Sequence, residues 1–420
     1  MKIKKLTALA MTTAMCAATI FGCGSSSDSN DGKETTTAAS AENPTKVNLL
    51  VWTPQEDQTE GWIQKMCDQF NADHPEWDIT FEYGVCGEGD AGKNVTQDVT
   101  AAADVYMFAN DQLTTLINAD AIAKLGGTVA DYVKETNTEN VVASVTYDGN
   151  IYGLPFTGNT WFMYYNKSIF TEDDVKSLES MLAKGKVAFP IGNSWYFPAS
   201  FFAAVGGTFS GADGTDEAAG IVLGDKAADV TKYLVDLVKN PNFVKDDAGS
   251  GMAGLGDGSI GAIFSGTWDY NNVVAAIGEE NVGICQLPTI NVGGTDYSLK
   301  SFAGSKAIGV NPNCENMEVA VALAKYLAGE EAQQSHYEMR SIVPCNTKLL
   351  ANDTVSSDPL VKAQADTIVN TSIVQPLDTT FNSNYWDNAT AFSNSILDGT
   401  ITVDNAAEKT TELENAFNGK

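Results

Sequence analysis

The residues of this 420-residue chain best suited to chemistry are aromatics that stand among glycines, amides and hydroxyls. Trp268 lies between Gly266-Thr267 and Asp269, and Trp195-Tyr196 follows Gly192-Asn193-Ser194. Tyr385-Trp386 follows Asn382-Ser383-Asn384, and Trp161 follows Asn159-Thr160. An aromatic plane beside hydrogen-bonding side chains suits a ligand with apolar C–H faces and in-plane hydroxyls, as a sugar ring has. Core packing is the ordinary reason for a tryptophan, and Trp52, Trp62 and Trp77 fit it, because they lie in apolar strand or helix patterns. Two polar runs add candidate hydrogen-bonding groups: Thr53–Gln58, with Glu56 and Asp57, and Ala109–Gln112, with Asp111. The alternative for Asp57 and Asp111 is capping, since each precedes a helical stretch whose free N–H groups need acceptors.

Alternating elements position these runs. Val47–Trp52 reads as a buried strand, and Trp62, Ile63, Met66, Cys67 and Phe70 share one helical face, which Pro75 ends. Trp77, Ile79, Phe81 and Tyr83 alternate with polar residues as a half-buried strand; Lys93–Ala103 is helix-compatible, and Asp104–Phe108 is the next strand. Repeated strand–helix–strand units imply an open α/β sheet, in which ligands gather at the carboxyl ends of strands. Both polar runs fall at such ends.

Composition narrows the ligand. With 25 Lys+Arg against 54 Asp+Glu the formal charge is −29, which excludes a nucleic-acid partner. Arg340 is the only arginine, so a site built on guanidinium forks is not expected, and His74 and His336 are too far apart in sequence for a histidine metal set. No metal and no cofactor is expected. Beyond Cys16 and Cys23, five cysteines without CxxC spacing read as buried free thiols, with a Cys67–Cys86 bridge as the alternative. No GxSxG, HExxH or Walker pattern occurs, although so many carboxylates leave a glycosidase pair open by counting alone.

The N-terminus reads as an export signal: Lys2, Lys4 and Lys5 precede the apolar stretch Leu6–Ile20, which is short for a membrane span. It ends Ile20-Phe21-Gly22-Cys23, which resembles the bacterial lipobox and implies a signal peptide over 1–22 and lipidation of Cys23. Residues 23–45 are rich in Ser, Thr and Ala and read as a disordered tether reaching roughly 25 Å as a coil. The expected location is extracytoplasmic, lipid-anchored at the cell surface of a Gram-positive-type bacterium, with the membrane touched only through the anchor.

The stretch Tyr147–Pro155 running on to Tyr165-Asn166-Lys167, and Gly258–Trp268, resemble signature elements of family-1 extracellular solute-binding proteins. Leu287-Pro288, the Lys306–Asn311 strand, the Glu315–Glu331 helix, and Trp386 with Gly399 and Val403-Asp404 follow in the family's order. Within the family the chain is most similar to maltose/maltodextrin-binding proteins of ABC importers. The resemblance implies a type II, two-lobe periplasmic-binding-protein-like α/β fold. Lobe crossings are implied near Thr157–Trp161, Ala303–Ala307 and Asn352–Asp358. The N-lobe would comprise 46–157 and 306–352, the C-lobe 158–305 and 353–420.

It also assigns roles. Trp268 and Trp386 fall on stacking positions, Trp195 and Tyr196 in the segment supplying a central stacking aromatic, and Phe108 where relatives place an N-lobe tryptophan. Glu56 and Asp57 occupy an acid-plus-base pair whose base is missing. Asp111 matches a sugar-binding aspartate with Gln112 in place of an arginine, and Asn159 stands where a glutamate is usual. The implied function is capture of maltodextrin-type oligosaccharides, without catalysis, by a monomer that delivers them to an ABC permease with a separate ATPase. Other neutral oligosaccharides (xylo-, fructo- or galacto-oligomers) and a surface glycosidase are the alternatives.

Overall fold

The computed structural model describes residues 43–420 apart from Ser194, Phe197, Pro198, Asp213 and Ala248. The expected signal segment 1–22, Cys23 and the tether as far as residue 42 lie outside the described residues. Thr45, the last tether residue, already belongs to a strand.

Along the chain, β1 (Thr45–Thr53), α1 (Trp62–Asp73), β2 (Trp77–Val85) and β3 (Val105–Ala109) come first. β4 (Leu154–Asn159) leads to β5 (Phe162–Asn166), β6 (Val187–Phe189), β7 (Phe243–Lys245), β8 (Ala262–Ser265) and β9 (Val282–Cys285). The long strand β10 (Ser301–Val310) is followed by α2 (Met317–Leu327), α3 (Glu330–Arg340), α4 (Pro359–Asn370), β11 (Ser372–Val374), α5 (Thr379–Leu397) and α6 (Ala406–Phe417).

These strands form two main sheets. The first has the order β11-β10-β3-β1-β2, with β4 also against β10; the second has the order β7-β6-β8-β5-β9. β1 is parallel to β2 and β3, with Val51 opposite Val105, so the polar runs after β1 and β3 emerge side by side at one sheet edge. β10 is antiparallel to both β3 and β4, and Lys306 lies opposite Ala109 on one side and Thr157 on the other.

Each sheet has its own core. Trp62, Ile63, Met66, Cys67 and Phe70 of α1 are buried against the first sheet, as their spacing requires. A second core gathers Trp161, Phe189, Phe264, Phe302, Tyr385 and Phe417 on the other sheet. A small third cluster joins Phe162 and Tyr164 to Val343, Val355 and Leu360, while Ile342 belongs to the first core. Thr157 pairs with Pro344, and its hydroxyl donates to the Val343 carbonyl at 2.5 Å. Asn352–Ser357 forms a short helix with its caps, and Asp358 then begins α4.

Helix starts follow local chemistry. Asp378 accepts from the Phe381 N–H to begin α5; Asp358 accepts from the Leu360 N–H, with Pro359 in the first turn of α4. Two helical expectations fail. Of the Lys93–Ala103 region only Lys93–Val95, the end of a helix that starts at Ala91, is α-helical, because the Asp98 carboxylate binds the N–H groups of Thr100 and Ala101 and diverts the backbone into a turn. The expected Glu315–Glu331 helix stops at Leu327, and α3 starts afresh after Gly329; a Cβ there would sit 2.8 Å from the Tyr326 carbonyl oxygen. The five described cysteines are free, and burial pushes the thiols of Cys67 and Cys285 up to about 12. Among the described residues no helix is long and apolar enough to cross a membrane.

Candidate functional site

Two adjoining cavities of about 420 and 480 Å³ line the cleft between the sheets and share Trp268 and Lys306. The first sheet contributes Glu56, Asp57 and Glu88 to one end, and Ala109, Asp111 and Gln112 to the other. The second sheet and α5 contribute Trp195, Trp268 and Trp386. A separate cavity of about 510 Å³, lined by apolar residues such as Val343, Val361 and Ile368, contains none of the expected site residues.

Trp268 sits in a one-turn helix directly after β8. Its ring lies so close to Gly266 that a Cβ there would fall 2.1 Å from it, so only glycine permits this rotamer. Tyr164 fixes that glycine by donating its hydroxyl to the Gly266 carbonyl at 2.8 Å. Trp195 flanks Trp268 with centroids 5.9 Å apart, and its indole N–H donates to Gln375 Oε1 at 3.1 Å. Trp386 donates to Asn382 Oδ1 at 3.3 Å, one helical turn earlier on α5. The indoles are therefore partly buried and oriented, leaving surface in the cleft.

Four expected site residues do not reach the cleft. Phe108 is fully buried in the first core, with its ring against Gly153 and Ala307; β3 alternates, so Ala109 is the residue that lines the cleft. Trp161 is fully buried beneath Tyr196, Phe189 and Phe264, and its indole nitrogen has no hydrogen-bond partner among the described residues. Tyr385 is buried under Trp386, edge to face at 5.0 Å, because neighbours on a helix point about 100° apart. Tyr196 stands behind Trp195, 5.3 Å away and edge to face, and lines neither cavity. Tyr196 and Tyr385 brace Trp195 and Trp386, and Trp161 lies beneath Tyr196, whereas Phe108 belongs to the first core.

The polar wall is more connected than local sequence suggests. Asp57 is 1% exposed and caps no helix: its Oδ1 accepts from His336 Nε2 at 2.9 Å and from Arg340 Nη1 at 2.6 Å, both on α3. The base missing beside the acid pair is thus supplied from far along the chain, by the sole arginine. His336 is stacked on Trp62 at 4.0 Å, which fixes the imidazole. Burial works against the Asp57 charge, but His336 and Arg340 outweigh it and hold the carboxyl below its ordinary value. Glu56, next to it, is exposed at the cleft and free of that network.

At the other end Asp111 accepts from Gln112 Nε2 at 2.5 Å and does not cap the following helix. Burial pushes its carboxyl up to about 6, opposed by that hydrogen bond and by the charge of Lys306. Asn159 is buried and donates to Asn110 Oδ1 at 3.3 Å, holding β4 to the loop after β3. Lys306 and Glu88, absent from the sequence expectations, meet at 3.2 Å, and Lys306 Nζ stands 4.8 Å over the Trp268 ring. A lysine at a strand carrying hinge-like small residues, Gly304-Ser305-Lys306-Ala307, was the only local signal.

Residues 65–363 match the family model of bacterial extracellular solute-binding proteins, and the chain belongs to that family. A galactooligosaccharide-binding protein of Bacillus subtilis is 27% identical over 267 residues, 60% of this chain and 62% of that protein. A maltodextrin-binding protein of the same organism is 28% identical over 253 residues, 54% of this chain and 59% of that protein. The chain thus aligns with about three-fifths of the length of each Bacillus relative. A solved structure with acarbose is 51% identical, with a TM-score of 0.85, covering 89% of this chain and 98% of that one. The fold is the two-lobe periplasmic-binding-protein type, here with the β1–β4 sheet and the β5–β9 sheet as the two halves.

Proposed function

We propose that this protein captures maltodextrin-type α-1,4-gluco-oligosaccharides outside the cell and delivers them to an ABC permease driven by a separate ATPase. The observation that carries this reading is the cleft itself, where the indoles of Trp195, Trp268 and Trp386 face Glu56, Glu88 and Asp111. Sugar C–H faces lie on the indoles, and the carboxylates accept hydroxyl hydrogen bonds that are charge-assisted and hence strong. The solved relative with acarbose and the Bacillus maltodextrin binder support the α-glucan assignment.

In this reading the ligand settles on the C-lobe indoles and the N-lobe closes over it. The lobes comprise 46–157 with 306–352 and 158–305 with 353–420. Processing before Cys23 and lipidation of its thiol anchor a monomer at the cell membrane, and residues 23–45 act as the tether. The protein binds and releases its ligand unchanged.

A galacto-oligosaccharide is the second reading, favoured by the Bacillus galactooligosaccharide-binding relative. Calorimetric titration with maltotriose, a galactotriose and xylotriose, followed by chromatography of the sugars, tests both. Saturable binding of maltotriose, recovered intact, is expected. Preference for galactotriose would replace the substrate, and cleaved sugar would replace the function.

A further inference from the structure

Trp268 is backed by Gly266 and flanked by Trp195, so its remaining approach is from the cleft. Lys306 covers that approach. It belongs to β10 of the opposite sheet, lines both cavities, and reaches across to stand 4.8 Å over the indole. Glu88 holds the ammonium at 3.2 Å, and the two side chains are only 14% and 15% exposed. A largely desolvated cation on an aromatic face, anchored by a carboxylate, is a favourable arrangement that anything else on that face has to replace.

We propose that Lys306 is an internal competitor of the sugar, its ammonium occupying the Trp268 face on which a ring would stack. The inference rests on the reading of Trp268 as a stacking surface given above. Binding is then an exchange: the ring takes the indole, the ammonium swings aside, and the ligand's hydroxyls satisfy Lys306 and Glu88 in place of each other.

The exchange sets a chemical requirement. A flat apolar molecule could cover the indole, but it would leave a largely buried lysine and glutamate unpaired, which is costly. A ring with one apolar face and a rim of hydroxyls meets both demands. Lys306 therefore selects polyhydroxylated rings over aromatic compounds and lowers the affinity for those it admits. It also ties the N-lobe edge to the C-lobe aromatic wall through one movable side chain.

The test is calorimetric titration of the full chain with maltotriose. Lys306→Met keeps the aliphatic stem and removes the charge, and is expected to tighten binding about two- to tenfold. Glu88→Gln, which loosens the anchor, is expected to tighten it less, and the double variant no more than Lys306→Met alone. Nitrophenol, an aromatic without a hydroxyl rim, should bind Lys306→Met measurably and the parent not. Weaker or unchanged maltotriose binding by Lys306→Met overturns the proposal, making Lys306 a sugar contact or a bystander. Lys306→Gln repeats the measurement if the methionine variant does not fold. Trp268→Ala separates the two layers of the argument. If it binds maltotriose like the parent, the stacking surface and the competitor both fall. If it loses binding while Lys306→Met fails to tighten it, only the competitor falls.

Discussion

The two walls of the cleft are built on different principles. The C-lobe wall is aromatic upon aromatic: Trp268 stands beside Trp195, Trp195 rests on Tyr196 and through it on Trp161, and Trp386 rests on Tyr385, with Trp161 and Tyr385 in the second core. The N-lobe wall is charge upon charge: Asp57 is neutralised from behind by His336 and Arg340, Lys306 is held by Glu88, and Asp111 stays uncompensated by any described ion pair. Aromatic burial is nondirectional and forgiving of ligand orientation, whereas buried charges discriminate steeply between matched and mismatched partners. In the proposed reading, one wall holds the sugar and the other recognises it.

The largest effect should come from cutting the charged wall's foundation. Arg340→Ala leaves Asp57 buried with only His336, and is expected to cost about 3–5 kcal/mol of folding stability, read by urea unfolding. A loss below about 1 kcal/mol would mean that Arg340 is solvated and the network inconsequential. The same network predicts acid sensitivity. The Asp57 carboxyl is depressed on folding, so the stability it confers is present above its ordinary value of 3.8 and is lost as pH falls through its lower folded value.

Cutting the aromatic wall should act on binding instead. Trp268→Ala is expected to weaken maltotriose binding by about 2–3 kcal/mol while leaving the unfolding midpoint nearly unchanged, because the ring is only partly buried. A variant that unfolds but still binds would reverse the contrast between the walls.

Asp111 should give a smaller, pH-dependent effect. Its carboxyl is raised to about 6, so folding stability is highest while it is protonated and declines as pH rises from 3.8 through about 6. Ligand hydroxyls favour the ionised form, so affinity should rise about tenfold as pH passes upward through 6. Asp111→Asn should remove that slope; a slope that persists in the variant assigns the titration elsewhere.

The smallest effect concerns a residue that sequence reasoning misplaced. Phe108→Leu should cost about 1 kcal/mol of stability and leave sugar affinity untouched, whereas Ala109→Trp, on the neighbouring cleft-facing position, should alter affinity. The reverse pattern would mean that the β3 alternation does not hold in solution.

Much of the architecture was legible because it is local. The α1 face, β1, β2 and the strand before Asn110 follow from apolar spacing, and the polar runs after β1 and β3 emerge at carboxyl strand ends as open α/β sheets require. The aromatic wall was half legible. Trp268 and Trp386 carry the polar neighbourhood of a cleft residue, but so do Trp161 and Tyr385, and only the rotation of a helix or the alternation of a strand decides which neighbour is buried. The charged wall was legible in its carboxylates, Glu56, Asp57 and Asp111, but not in the cations that pair with them. Asp57 and Arg340 are 283 residues apart, and no local pattern announces that α3 will present an arginine and a histidine to the short helix after β1.

The most direct test is a maltotriose titration followed by tryptophan emission in the parent and in Trp268→Ala, with the sugar recovered afterwards. The account predicts saturable change in the parent, binding weakened at least about thirtyfold in the variant, and maltotriose recovered whole. Equal binding by both proteins, or hydrolysed sugar, would contradict it.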